Sequence, residues 1–140
     1  MSALRIAIVD DSPDMRVLFR RELDRSPAFE VCADGEDGAA AIDIARRLSP
    51  DVMLLDLSMP GMGGLEALPL ILAASPGTRV IVLSGFGRRG FAEKAYAAGA
   101  CGFVEKPTPA GTLAERLLEA VHYGPDGPPD GGAPSSFGPC

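Results

Sequence analysis

Residues Asp51 to Gly64 read DVMLLDLSMPGMGG, and this stretch decides the fold. Val52 to Leu55 is a short, unbroken apolar run of the kind that is buried on both faces of a parallel sheet. It delivers one carboxylate, Asp56, to the point where the chain leaves the strand for a Met59-Pro60-Gly61 turn. A lone acid at a strand's carboxyl end stands where open α/β sheets place their ligands.

Working outward, two further apolar runs have the same character. Leu4 to Val9 (LRIAIV) ends in Asp10-Asp11, and Arg79 to Leu83 (RVIVL) ends in Ser84-Gly85. Phe29 to Cys32 reads as an edge strand and Gly102 to Val104 as a very short fifth one, followed by Lys106-Pro107. Between the strands the apolar spacing turns helical. Ser12-Pro13 supplies a cap and a first-position proline for a helix with Met15, Leu18, Phe19 and Leu23 inward. Ala39 to Leu48 is a second helix with Ile42, Ala45 and Leu48 inward, and a third runs from about Gly64 to Ala74. Pro69 lies inside the third helix, where a missing N–H and a ring clash predict a kink or a late start. Arg88 to Ala98, stopped by Gly99, and Thr112 to His122 complete the set. Strands alternating with helices predict a doubly wound α/β domain with a five-stranded parallel sheet and five helices.

From Gly124 the chain reads GPDGPPDGGAPSSFGPC, with little to bury. The expected division is a domain over residues 1–123 and a Gly/Pro-rich disordered tail or linker stub over 124–140. The 140 residues carry 13 Lys+Arg against 19 Asp+Glu, a formal net charge of -6, which repels a phosphate backbone and argues against direct nucleic-acid binding. Three scattered cysteines, no CxxC and a single His indicate neither a disulfide framework nor a zinc site. With no long apolar segment and no leader-like start, the expectation is a cytoplasmic protein in a reducing compartment, away from the membrane.

In a parallel sheet the strand ends share one edge, so Asp10, Asp11, Asp56, Ser84 and Lys106 are all expected there. Three carboxylates held close repel each other unless a divalent cation neutralises them. An all-oxygen site without thiol or imidazole suits Mg²⁺, with Mn²⁺ as a substitute. Lys106 and the Ser84 hydroxyl are then free to meet phosphoryl oxygens.

Taken in this order, Asp10-Asp11, Asp56, the MPGMGG turn, Ser84-Gly85 and Lys106-Pro107 resemble the receiver domains of two-component response regulators, of the stand-alone, single-domain type. The resemblance covers about Leu4 to His122. It implies a flavodoxin-like sheet of order 2-1-3-4-5, and a phosphoryl group passed to Asp56 from a histidine kinase or phosphotransfer protein. It further implies Mg²⁺ held by Asp11, Asp56 and the Ser58 main-chain carbonyl, with Asp10 acting through water. Lys106 would pair with the phosphoryl group, and its bond to Pro107 would be cis. Ser84 would move toward the phosphoryl oxygen, and Phe103 matches the switch aromatic. Ser84 stands where the family often has Thr, and Phe103 lacks the phenol hydroxyl of a tyrosine. The fourth helix, fifth strand and fifth helix are the expected readout surface for a downstream protein or for a homodimer formed on phosphorylation.

Such a receiver catalyses only its own phosphorylation and dephosphorylation. One rival is a Mg²⁺-dependent aspartyl-phosphate phosphohydrolase, but that chemistry wants a second Asp two residues after the nucleophile, where Ser58 stands. Another is a flavodoxin-type electron carrier, which needs a Ser/Thr/Gly phosphate loop where this chain has Asp10-Asp11. A third is a receiver fragment of a longer regulator whose output domain is missing.

Overall fold

The computed structural model describes residues 3–57, 63–84, 89–105 and 112–123. The elements run β1 (Leu4–Val9), α1 (Pro13–Asp24), β2 (Phe29–Gly35), α2 (Gly38–Leu48), β3 (Val52–Asp56), α3 (Gly64–Ala74), β4 (Arg79–Ser84), α4 (Arg89–Ala97), β5 (Gly102–Glu105) and α5 (Leu113–Tyr123). The strands form one parallel sheet in the order β2-β1-β3-β4-β5. The apolar runs are unbroken because alternate residues feed two cores. Ala7, Val9, Met53, Leu55, Val80 and Val82 point toward α2, α3 and α4. Their neighbours Ile6, Ile8, Val52, Leu54, Ile81 and Leu83 point toward α1 and α5.

After β1 the chain first crosses to β2 on one side, then returns to place β3 on the other. The connection therefore reverses direction between β1 and β3, the crevice in which doubly wound sheets bind ligands. Val9 pairs with Leu55 in that register. The next residues along, Asp10 and Asp56, flank the crevice.

Several expectations are corrected. Strand β2 extends to Gly35, although Ala33, Asp34 and Gly35 are poor strand formers, because each pairs in register with β1 beyond an irregularity at Ile6/Ala7. Leu18 is 47% exposed rather than inward; Phe19 and Leu23, one turn apart, take the buried side of α1. In α2 the fully packed face is Ala41, Ile44 and Ala45, with Ile42 and Leu48 at its margin. Helix α3 has no late start: it begins at Gly64 and runs through Pro69 as one element. Pro69 faces solvent, while Ala67, Leu68 and Ile71 are buried and hold both halves of the helix on the sheet. Among the described residues Cys32 is a free thiol, and Cys101, buried just before β5, has its Sγ 3.4 Å from the Ala120 carbonyl oxygen.

Candidate functional site

The site is built at the carboxyl edge of β1 and β3. One ligand atom from each of Asp10, Asp11 and Asp56 lies within 4.8 Å of the other two. Asp10 and Asp56 are each 1% exposed, whereas Asp11 is open to solvent. At such a separation two buried carboxylates repel by roughly 3 kcal/mol at an effective dielectric of about 20. The arrangement is therefore costly without a cation, and its donors, all carboxylate oxygens, fit a hard divalent ion such as Mg²⁺.

Local structure fixes Asp10 from several directions. Its main-chain N–H donates to the Gly35 carbonyl at 3.0 Å, tying it to the end of β2. Its Oδ1 accepts from the Ser12 main-chain N–H at 2.9 Å, and Arg16 Nη1 donates to its main-chain oxygen at 2.6 Å. Ser12 is in turn the cap of α1, its Oγ accepting from the Met15 N–H at 3.3 Å, with Pro13 at the first helical position. A Ser-Pro start thus sets both the helix and the loop that carries two acids. Asp56 ends β3 paired with Leu83 of β4, and the next N–H, of Leu57, donates to the Leu83 carbonyl at 3.0 Å.

Ser84 closes β4 on this same edge, in register with Glu105 of β5. Its side chain, together with Ser58, Lys106 and Pro107, lies outside the described residues, as do the MPGM portion of the turn and residues 124–140. Phe103 pairs with Val82, is partly buried, and packs on the core side that carries α4. Two site features were not read from the sequence. Arg16 is, in the sequence, one of several arginines between the apolar positions of α1. Gly64 is expected as the start of the third helix, with no sign in the sequence that a Cβ added to it would stand 2.6 Å from the Asp56 carbonyl oxygen. The signal for Gly64 was the Gly63-Gly64 doublet at the start of a helix, where only one of the two is needed for the turn.

Residues 6–118 match the model of the response regulator receiver domain family. The chain belongs to that family, whose members act as signalling modules of two-component systems. The chemotaxis protein CheY of Listeria monocytogenes is 39% identical over 118 residues, spanning 84% of this chain and 95% of that protein. The transcriptional regulatory protein DegU of Brevibacillus brevis is 36% identical over 118 residues, which make up 48% of its length. Among solved structures, the signal receiver domain of the response regulator NarL from Mycobacterium tuberculosis superposes with a TM-score of 0.79 at 30% identity, covering 84% of this chain and 95% of that one. The response regulator domain of Thermotoga maritima CheB gives 0.71 at 35%, covering 83% and 87%. Among the described residues, no helix is long and apolar enough to cross a membrane.

Proposed function

We propose that Asp56 accepts a phosphoryl group from a phosphohistidine of a kinase or phosphotransfer protein. The observation that carries this reading is the convergence of the Asp10, Asp11 and Asp56 oxygens within 4.8 Å at the point where the sheet reverses its winding. Asp10, Asp11, Asp56 and the Ser58 main-chain carbonyl would hold Mg²⁺, or Mn²⁺ in its place. When bound, the ion supplies charge neutralisation on the transferring phosphoryl oxygens.

The chain's own groups do the rest. An Asp56 carboxylate oxygen forms the new bond to phosphorus as the bond from phosphorus to the donor's imidazole nitrogen breaks. The imidazole leaves with that electron pair and recovers its proton from solvent. A carboxylate is a modest nucleophile, but phosphoryl transfer depends chiefly on in-line positioning and charge stabilisation. Burial of Asp56 and its anchorage in β3 hold the attacking oxygen in place. Lys106 pairs its ammonium with a phosphoryl oxygen, and Ser84 donates its hydroxyl to another. The added charge draws Ser84 inward and biases Phe103 and α4, so that α4, β5 and α5 present a changed surface to a downstream protein or a second copy. A second reading, that the chain is the receiver part of a longer regulator, is favoured by the match to DegU over only 48% of that protein's length.

Incubation with Mg²⁺ and acetyl phosphate followed by intact mass tests the proposal. Wild type should gain one phosphate, and chelation of the metal should abolish the gain. Absence of any adduct, under conditions where a known receiver reacts, would sink it.

A further inference from the structure

We propose that Arg16 is a positioning residue for the cation site, fixing the Asp10–Asp11 peptide so that both carboxylates are aimed before the ion arrives. The inference rests on the reading of Asp10, Asp11 and Asp56 as that site.

Arg16 sits in the first turn of α1, where a cation opposes the helix dipole and Asp14 already supplies the favourable charge. Its position is therefore not explained by helix stability. The half-buried guanidinium instead turns back and donates from Nη1 to the Asp10 main-chain oxygen at 2.6 Å, a short, charge-assisted bond. That carbonyl belongs to the peptide unit whose other end is the Asp11 nitrogen, so holding it fixes the plane from which Asp11 projects. Asp10 itself is held on its other side by the Ser12 N–H on Oδ1. Asp11 is exposed, so its aim depends on its backbone rather than on packing.

Two effects of Arg16 on a divalent cation have opposite signs. Its positive charge, held at the Asp10 main-chain oxygen, repels the ion, so removal of the charge alone would tighten binding. Its hydrogen bond preorganises the ligands, and outer partners of this kind are commonly worth about tenfold or more in metal affinity. The bond is short and the peptide it holds carries two of the three acids, so preorganisation is the larger effect. A lysine would keep the charge but lose the planar fork, and is not an equivalent.

The test is titration of the full chain with Mn²⁺, following the free ion by electron paramagnetic resonance, with Mg²⁺ as competitor and circular dichroism to confirm folding. The chain has no Trp to report binding by fluorescence. Arg16→Ala should bind both ions about tenfold more weakly, with Arg16→Lys between it and wild type. Unchanged or tighter binding by a folded Arg16→Ala would overturn the inference. Should Arg16→Ala not fold, Arg16→Lys decides, and affinity equal to wild type would overturn it. Failure of wild type to bind either ion would instead overturn the underlying reading of the three acids.

Discussion

Gly64 lies against Asp56 so closely that a Cβ added to it would stand 2.6 Å from the Asp56 carbonyl oxygen and 2.9 Å from the Leu57 Cα. Both obstructing atoms are backbone, so neither can swing aside. Its neighbour Gly63 differs: there an added Cβ meets nothing nearer than the Leu57 carbonyl at 3.9 Å. Gly64→Ala should therefore push α3 away from the end of β3, costing on the order of 1–3 kcal/mol and displacing the carboxylate proposed to be the acceptor. Gly63→Ala, which alters only the N-cap of α3, should cost less, about 1 kcal/mol or under, and leave the carboxylate in place. Thermal melts of the two variants, with phosphorylation by acetyl phosphate as a second readout, check this; equal behaviour of the two would contradict it.

Ser12→Ala removes the hydroxyl that caps α1 while leaving the Ser12 N–H on Asp10 in place. Loss of the cap should cost about 1 kcal/mol, read as a lower denaturant midpoint with an unchanged slope. Metal affinity should change much less than in Arg16→Ala, because the bond to Asp10 is retained.

Gly99 has φ of 112°, a conformation that a side chain rarely adopts, and an added Cβ would also run into the Leu72 side chain. Gly99→Ala should destabilise the domain by about 1–3 kcal/mol. Gly99 follows α4 far from the acids, so the folded fraction should still take up phosphate. A variant that melted like wild type would show that the α4–β5 turn adapts.

Pro69 removes one hydrogen bond from the middle of α3 and faces solvent. Proline in a helix interior is disfavoured by about 3 kcal/mol against alanine, offset in part by the stiffer unfolded chain. Pro69→Ala should raise the melting temperature. A fall would mean that the ring makes a contact worth more than the missing bond.

Much of the architecture was legible because the period-two pattern of a sheet covered on both faces appears as unbroken apolar runs such as Ile6 to Val9 and Val52 to Leu55. The edge that gathers Asp10, Asp11 and Asp56 followed from parallel strands alone. What escaped was set by tertiary contact. Ala33 to Gly35 became strand through pairing with β1, and Leu18 turned outward because Phe19 and Leu23 filled the groove. Pro69 was tolerated in α3 because the buried residues flanking it outweigh one lost bond. The service of Arg16 to Asp10 has no linear signature, since it depends on a side chain folding back six residues. Gly64 was visible only as half of a doublet, without the carbonyl that forbids a Cβ there.

Lys106→Ala should keep the melting temperature of wild type yet lose the response of β4 and α4 to phosphorylation, seen as amide shifts after addition of acetyl phosphate and Mg²⁺. Shifts of wild-type size would show that Lys106 does not pair with the phosphoryl group.

The most direct measurement traps the acyl phosphate itself. After phosphorylation, reduction with borohydride converts the modified aspartate to homoserine, which peptide mass spectrometry locates. The predicted result is homoserine at position 56 in wild type and none anywhere in Asp56→Asn. Homoserine at Asp10 or Asp11, or undiminished labelling of Asp56→Asn, would contradict Asp56 as the phosphoryl acceptor.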